Sequence, residues 1–344
     1  MIYSFTNDYS EGCHPLVLQA LSESNLIQQP GYGEDIYTQQ AADIIRKMTG
    51  DIDADVHFVA GGTVANQIVL ASILKPFESV IAADSGHINT HEAGAIEATG
   101  HKVETIHTAN GKLCPTDIKP LLDKFPVYHT VRPRVVYISN STEIGTIYTK
   151  KELSELSEFC KDNNLILFMD GARLPSALTS GSNDLSLADV ARLTDIFYIG
   201  GTKCGALLGE AIVITNGTLK TDFAYHIKQR GAMLAKGRIL GIQFVTLLKD
   251  NLIFDLACHA NIMASKISKA AKESGFTFLT ESDTNQIFPI LPHHIIEKLS
   301  GKYGFYIWEQ IDTEKAAIRL ITSWATPEDK VDAFIHDLKS LSIL

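Results

Sequence analysis

Hydrophobic positions recur along this chain with two periods, and the alternation between them predicts the architecture. The stretch 15–24, PLVLQALSES, reads as a short helix opened by proline at its first position. The stretch 35–50, DIYTQQAADIIRKMTG, has helical spacing and a closing glycine. VHFVAGG (56–62) then reads as a strand entering a glycine turn, and TVANQIVLASIL (63–74) as the helix that follows. Strands are expected at 79–84, 101–108, 134–141, 165–173, 195–203 and 210–215, the last returning against its predecessor. Helices are expected at 90–100, 115–125 and 150–164, with a long helical region from about 219 to 274. Strands alternating with helices imply a mostly parallel sheet covered on both faces.

Beyond that region the pattern changes. FTFLT (276–280), NQIFPI (285–290), FYIWEQ (305–310) and AAIRLIT (316–322) read as four strands, with helices in HIIEKLSGKY and TPEDKVDAFIHDLKSL packed on them. The expected organisation is an N-terminal arm with a short helix (1–30), a large α/β domain (31–254) and a small α+β domain (255–344). A helix linking the two domains is expected across the second boundary. No internal repeat or low-complexity tract is evident.

Composition narrows the class of function. The 344 residues include 20% charged side chains and carry a net charge of -10, which disfavours a nucleic-acid groove with its concentrated basic footprint. Five cysteines, at 13, 114, 160, 204 and 258, form no compact metal pattern, so reduced thiols are expected and no metal site. MIYSFTNDYSEG has no signal-peptide pattern, and no apolar stretch approaches a membrane span. A cytoplasmic protein is the expectation.

Four features suggest chemistry. GGTVAN (61–66) joins a strand to a helix, where Gly62, the hydroxyl of Thr63 and free helix N–H groups could cradle a phosphate, or merely form a turn and cap. His87, in ADSGHINTHEAGA, follows a strand and could stack on a flat ring; His91, one turn on, could face the same site. Asp170, in FMDGAR, ends an apolar strand at the edge where open α/β sheets bind ligands. A buried carboxylate there needs a partner, such as a protonated pyridine nitrogen or Arg173. Lys203, in IFYIGGTKCGALLGEAIVI, shares an otherwise apolar or small-residue run with only one other charge, Glu210. Its amine could form a Schiff base with pyridoxal phosphate and afterwards shuttle a proton. The order of these features is phosphate turn, ring-stacking residue, ring-nitrogen acid and attachment lysine.

That series, with YGED (32–35), EAGA (92–95), MDGAR (169–173), TK (202–203) and IRLIT (318–322), resembles fold-type I pyridoxal-phosphate enzymes. It resembles most closely the threonine aldolase branch of the β-eliminating lyases, over nearly the whole chain. The resemblance implies that Lys203 binds pyridoxal 5'-phosphate covalently, Asp170 pairs with the pyridine nitrogen, His87 stacks on the ring, and Gly62 and Thr63 bind the phosphate. It places Arg173 near cofactor and substrate. Arg319 and Asn7 are assigned to the substrate carboxylate, for which the planar guanidinium fork of arginine is suited. Active sites at the interface of a homodimer, paired into a homotetramer, are implied as well. Tyr32 would then approach a neighbouring site, and Arg230, Lys236 and above all Arg238 would supply cationic phosphate contacts.

One departure bears on selectivity. Where the family carries a histidine near the substrate's β-hydroxyl, SNSTEIGT (139–146) has Thr142, followed by Glu143. Threonine cannot serve as a neutral-range acid or base as imidazole does. The implied reaction is aldol cleavage of a 3-hydroxy amino acid, such as L-threonine or L-allo-threonine, to glycine and an aldehyde. The alternatives are an amino-acid β-eliminating lyase and a protein that binds the cofactor or an amino acid without turnover.

Overall fold

The computed structural model describes residues 2–124 and 128–342. Its centre is a seven-stranded sheet. Across it lie Asp55–Val59, Glu210–Ile214, Ile196–Gly200, Ile166–Asp170, Arg132–Ser139, Glu78–Ala83 and Val103–Ile106. Only Glu210–Ile214 runs against its neighbours. The sheet is thus mostly parallel, as the alternating pattern predicts, and it has the fold-type I arrangement.

Near-continuous apolar strands are what a sheet buried on both faces requires. Successive residues of one strand join different cores. Val136, Leu167, Phe197 and Val213 face one layer, while Val135, Phe168, Ile196 and Ile212 face the other. Helices Ile36–Thr49, Lys150–Asp162 and Arg238–Leu248 contribute to the first layer, and Gly62–Ile73 and Phe223–Gln229 to the second. Helix ends follow local rules: Asp35 caps its helix by accepting from the Thr38 N–H, and Thr149 and Glu152 form a reciprocal capping box.

A third core lies around an antiparallel sheet in which Lys315–Ile321 pairs with Tyr306–Gln310, Ile290–Pro292 and Gln286–Ile287. Helix Leu252–Glu273 joins the two regions. Ile253 and Ala257 pack into a core of the large sheet, and Met263, Ile267 and Ala271 into the third core. The N-terminal arm crosses to the same region, where Tyr3–Ser4 pairs in parallel with Tyr303–Gly304 and Phe5 is fully buried. None of the helices among the described residues is long and apolar enough to cross a membrane.

Three local expectations are corrected. The stretch 90–100 is not one helix: a turn at His87–Thr90 ends there, Ala93 and Gly94 adopt left-handed φ values of 52° and 74°, and only Glu97–Thr99 is helical. The 219–274 region is three main helices, broken at Gly231 and at Asp250–Asn251, all with positive φ. FTFLT makes a single bridge, Phe278 to Pro289, rather than a strand. The helix expected at 115–125 spans Pro115–Leu122, and position 125 lies outside the described residues.

Two glycines fix the sheet edge that matters. The Gly200 N–H donates to the Gly171 carbonyl at 2.9 Å. A Cβ at Gly171 would collide with the backbone carbonyl of Tyr198, and one at Gly200 with that of Ala172. Only glycine lets these two strand exits approach so closely. Gly171→Ala is therefore expected to cost about 1–3 kcal/mol through forced backbone separation. Denaturant unfolding of the variant measures it, and an unchanged midpoint would contradict the close-approach argument.

Candidate active site

Five parallel strands deliver their carboxyl ends to one edge of the sheet, and the chemistry-bearing residues sit at those ends. Gly61, Gly62 and Thr63 follow Asp55–Val59, and His87 follows Glu78–Ala83. Glu143 follows Arg132–Ser139, Asp170 ends its own strand, and Lys203 follows Ile196–Gly200. All of these residues line one cavity of about 280 Å³, together with Tyr9, Ser139, Ser141, Ala172, Arg173, Tyr198, Thr202 and Glu210.

Asp170 is the best-supported charge in the cavity. Its Oδ2 accepts from the Tyr137 hydroxyl at 2.6 Å and from the Asn66 amide at 3.2 Å, and its Oδ1 accepts from the Ala172 N–H at 3.0 Å. The Tyr198 hydroxyl bonds it too. Burial alone would raise its pKa. The charge of His87 and these hydrogen bonds outweigh that effect and hold it below the ordinary carboxylate value.

His87 is oriented from beneath. Its Nδ1 lies 2.7 Å from Glu92 Oε1, and the same oxygen accepts from the Asn66 amide at 2.7 Å. Burial would lower the imidazole pKa, but the Glu92 bond and the charge of Asp170 raise it above the ordinary value. The His91 ring stacks on that of His87 at 5.6 Å between centroids, and Trp308 stacks on His91 at 6.5 Å.

Lys203 sits in a turn closed by backbone hydrogen bonds from Gly201 and Thr202 to the Gly209 carbonyl. Burial, aided by the nearby Arg173 charge, lowers its pKa, which favours the nucleophilic free amine. Glu210 responds oppositely: burial pushes its carboxyl up to about 7, against the pull of Lys203 and the Thr202 hydroxyl. Glu210 Oε2 also accepts from the Gly201 N–H at 3.1 Å. The two charges of the apolar run thus line the same cavity, each drawn toward neutrality.

Arg173 is anchored by a residue that sequence reasoning passed over. Asp8, fully buried, accepts from Arg173 Nε at 2.7 Å and from its terminal nitrogen at 3.0 Å, and also from the Asn285 amide at 2.8 Å. Burial raises the Asp8 pKa, but Arg173 and Lys203 more than reverse this. Its neighbour Asn7, the residue singled out in sequence, is outside the cavity lining, and its Oδ1 accepts from the Tyr9 N–H and the Ser10 hydroxyl.

The remaining candidates also lie outside the lining. The Arg319 guanidinium packs over Trp308 at 4.7 Å and Tyr306 at 5.5 Å, and its buried Nε has no hydrogen-bond partner among the described residues. Tyr32 is half exposed, with the Lys228 ammonium 4.4 Å from its ring centroid. Arg238 donates to the carbonyls of Ser24 and Ile27 and, with Lys236, lines a separate cavity of about 660 Å³. Arg230 donates to the Gln229 side chain.

Thr142 is fully buried with its hydroxyl 2.7 Å from that of Thr146, whereas Glu143 lines the cavity. Besides Asp8, sequence reasoning assigned no role to Asn66, Glu92, Tyr137, Tyr198 or Glu210. Of these, Asn66 stood in GGTVAN, Glu92 in EAGA, and Tyr198 and Glu210 in the lysine run, while Tyr137 lay inside an expected strand.

The residues present fit pyridoxal phosphate. A Cβ at Gly62 would come within 3.1 Å of the Tyr198 hydroxyl, and helix Gly62–Ile73 has no side-chain cap, so its first N–H groups are free for a phosphate. A supported anion and an amine of lowered pKa line the same space.

Comparison with known proteins gives the family. The model of the family described as beta-eliminating lyase matches residues 17–292. The chain belongs to the β-eliminating lyase family. A low specificity L-threonine aldolase of Pseudomonas sp. is 34% identical over 98% of this chain and 97% of its own length. A solved threonine aldolase of Leishmania major is 49% identical, with a TM-score of 0.97 and 99% of each chain covered. An aspartate aminotransferase of Thermus thermophilus, 14% identical with a TM-score of 0.74 over 99% of this chain and 91% of its own, shares the fold. A serine palmitoyltransferase variant of S. paucimobilis solved with bound pyridoxal phosphate, 14% identical with a TM-score of 0.70 over 98% of this chain and 86% of its own, also shares the fold.

The Glu92–His87 pair gives a testable pH dependence. The folded-state pKa of His87 is raised, so its stabilising contribution is fully present below the ordinary imidazole range and is lost as pH rises through the raised value. Glu92→Gln should move the His87 titration downward, because burial then dominates. Imidazole NMR against pH measures this shift, and an unmoved midpoint would show that Glu92 does not set the charge.

Proposed function

We propose that this protein is a pyridoxal-phosphate-dependent carbon–carbon lyase that splits a 3-hydroxy amino acid, such as L-threonine or L-allo-threonine, into glycine and an aldehyde. The observation that carries the reading is the convergence of Lys203, Asp170, His87, Gly62 and Thr63 on one cavity lined also by Arg173. The threonine aldolase names of the Pseudomonas and Leishmania relatives support it.

When bound, pyridoxal 5'-phosphate supplies an electron sink for the pair left on Cα as the Cα–Cβ bond breaks. The backbone N–H of Gly62 and the hydroxyl of Thr63 hold its phosphate at the helix N-terminus. Asp170 keeps the pyridine nitrogen protonated by presenting a charge already satisfied on its protein side. His87 covers the ring. Lys203 would hold the cofactor through its side-chain amine and would move a proton at the substrate's Cα.

Arg173, held flat by Asp8, and Arg319, with a buried Nε left unpaired among the described residues, orient the substrate carboxylate. Asn7 assists them from the arm. Tyr32 and Arg238 act at the site of a neighbouring subunit in a homodimer or homotetramer, Arg238 toward the phosphate and Tyr32 toward the substrate. Both lie outside the cavity of their own chain, in keeping with such a role. The reaction belongs to amino-acid metabolism in the cytoplasm.

Incubation of the purified protein with pyridoxal phosphate and a panel of 3-hydroxy amino acids tests the reading by product identity. Equimolar glycine and aldehyde are expected. Ammonia with a 2-oxo acid would instead establish β-elimination, and a substrate-independent cofactor absorption band without products would establish a binding protein.

A further inference from the structure

The cavity contains three carboxyl groups, and two are committed. Asp170 accepts from Tyr137, Asn66, Tyr198 and the Ala172 N–H and is assigned to the ring nitrogen. Glu210 is held by the Gly201 N–H and the Thr202 hydroxyl. Glu143 is the third, and neither the cofactor nor the substrate carboxylate claims it. Its Oε1 accepts from the backbone N–H of His87 at 2.9 Å and from the Ser139 hydroxyl at 2.7 Å. It has no ion-pair partner among the described residues, and it remains partly exposed while lining the cavity.

Resting on the aldol-cleavage reading, we propose that Glu143 is the catalytic residue that accepts the proton of the substrate's β-hydroxyl group. In that step the O–H bond breaks and its proton passes to the Glu143 carboxylate. The O–H electron pair becomes the second C–O bond of the departing aldehyde. The Cα–Cβ pair stays on Cα, which is then protonated to give glycine. No oxidant or further reactant is required.

Three observations favour Glu143 over its neighbours. Thr142 is buried and bonded to Thr146, outside the cavity. His87 is held toward its protonated form by Glu92 and Asp170, which makes it a poor acceptor. Lys203 is already assigned to the attachment and to Cα. Glu143 is fixed by two donors to one oxygen, so the carboxylate is positioned before substrate arrives.

The charges around Glu143 are known. Asp170 is the neighbouring anion, His87 and Arg173 are the neighbouring cations, and Tyr137 and Tyr148 are phenols held neutral by burial. Burial, together with Asp170, raises its pKa above the ordinary glutamate value, against the Ser139 bond and the His87 charge. A proton acceptor must begin ionised, so cleavage should be lost as pH falls through this raised value.

Glu143→Gln tests the proposal, because it preserves the shape and removes the acceptor. In the holoenzyme, cleavage of 3-hydroxy amino acids should fall by about 10²–10⁴-fold. Exchange of the glycine α-hydrogen in D₂O, which involves no hydroxyl proton, should persist. Any residual cleavage should lack the acidic limb of the wild-type pH profile. Infrared difference titration of the full-length protein should show a carboxyl band, titrating with that limb, that is absent from the variant. Cleavage within about threefold of wild type, an unchanged acidic limb, or equal loss of cleavage and glycine exchange would each overturn the assignment. A wild-type enzyme that exchanges glycine but cleaves no 3-hydroxy amino acid would instead refute the aldol reading on which it rests.

Discussion

The site depends on one buried negative charge. Desolvating a carboxylate costs several kcal/mol unless its oxygens are paired, and Asp170 is 5% exposed. Two tyrosine hydroxyls, an amide and a backbone N–H meet it from three different strands or helices, and the His87 charge adds to them. Each of those donors is itself placed by the large sheet or by the helix that follows its first strand. The same Asn66 amide links Asp170 to Glu92, and Glu92 in turn sets the charge of His87. Removing the sheet edge would therefore disperse both the anion and the imidazole beside it.

A second constraint is steric. Strands ending at Asp170 and at Gly200 approach so closely that Gly171 and Gly200 admit no side chain. This contact brings the aspartate and the lysine turn into one cavity without long side chains reaching across open space. Glu210 begins the returning strand at the same edge, so the charge that accompanied Lys203 in an apolar run belongs to the same cavity. Burial draws the amine down and this carboxyl up, which moderates the charge the cavity must hold.

The large sheet was legible because its central strands are short apolar runs bounded by small or polar residues, and the alternation with helices leaves few topologies. The residues at strand ends, Asp170, Lys203, His87 and Thr63, were legible for the same reason: a polar group closing an apolar run stands out. Asp8, Asn66, Tyr137 and Tyr198 were not. Two are tyrosines inside apolar strands, one is an amide inside a helix, and one is an aspartate in an irregular arm; only packing brings them against Asp170 and Arg173. The small-residue stretch at 90–100 invited a helix, but left-handed turns at Ala93 and Gly94 replace it with a bend that carries Glu92 to His87. At the Thr142 position sequence comparison identified a missing imidazole, while the adjacent Glu143 lies along the cavity and Thr142 is buried with its hydroxyl on Thr146.

The covalent use of Lys203 is the central expectation. Reduction of the holoenzyme with borohydride, followed by peptide mapping by mass spectrometry, tests this directly. The expected result is a single pyridoxyl-phosphate adduct, on Lys203. An adduct confined to another lysine, or retention of a reducible link in Lys203→Ala, would contradict the account.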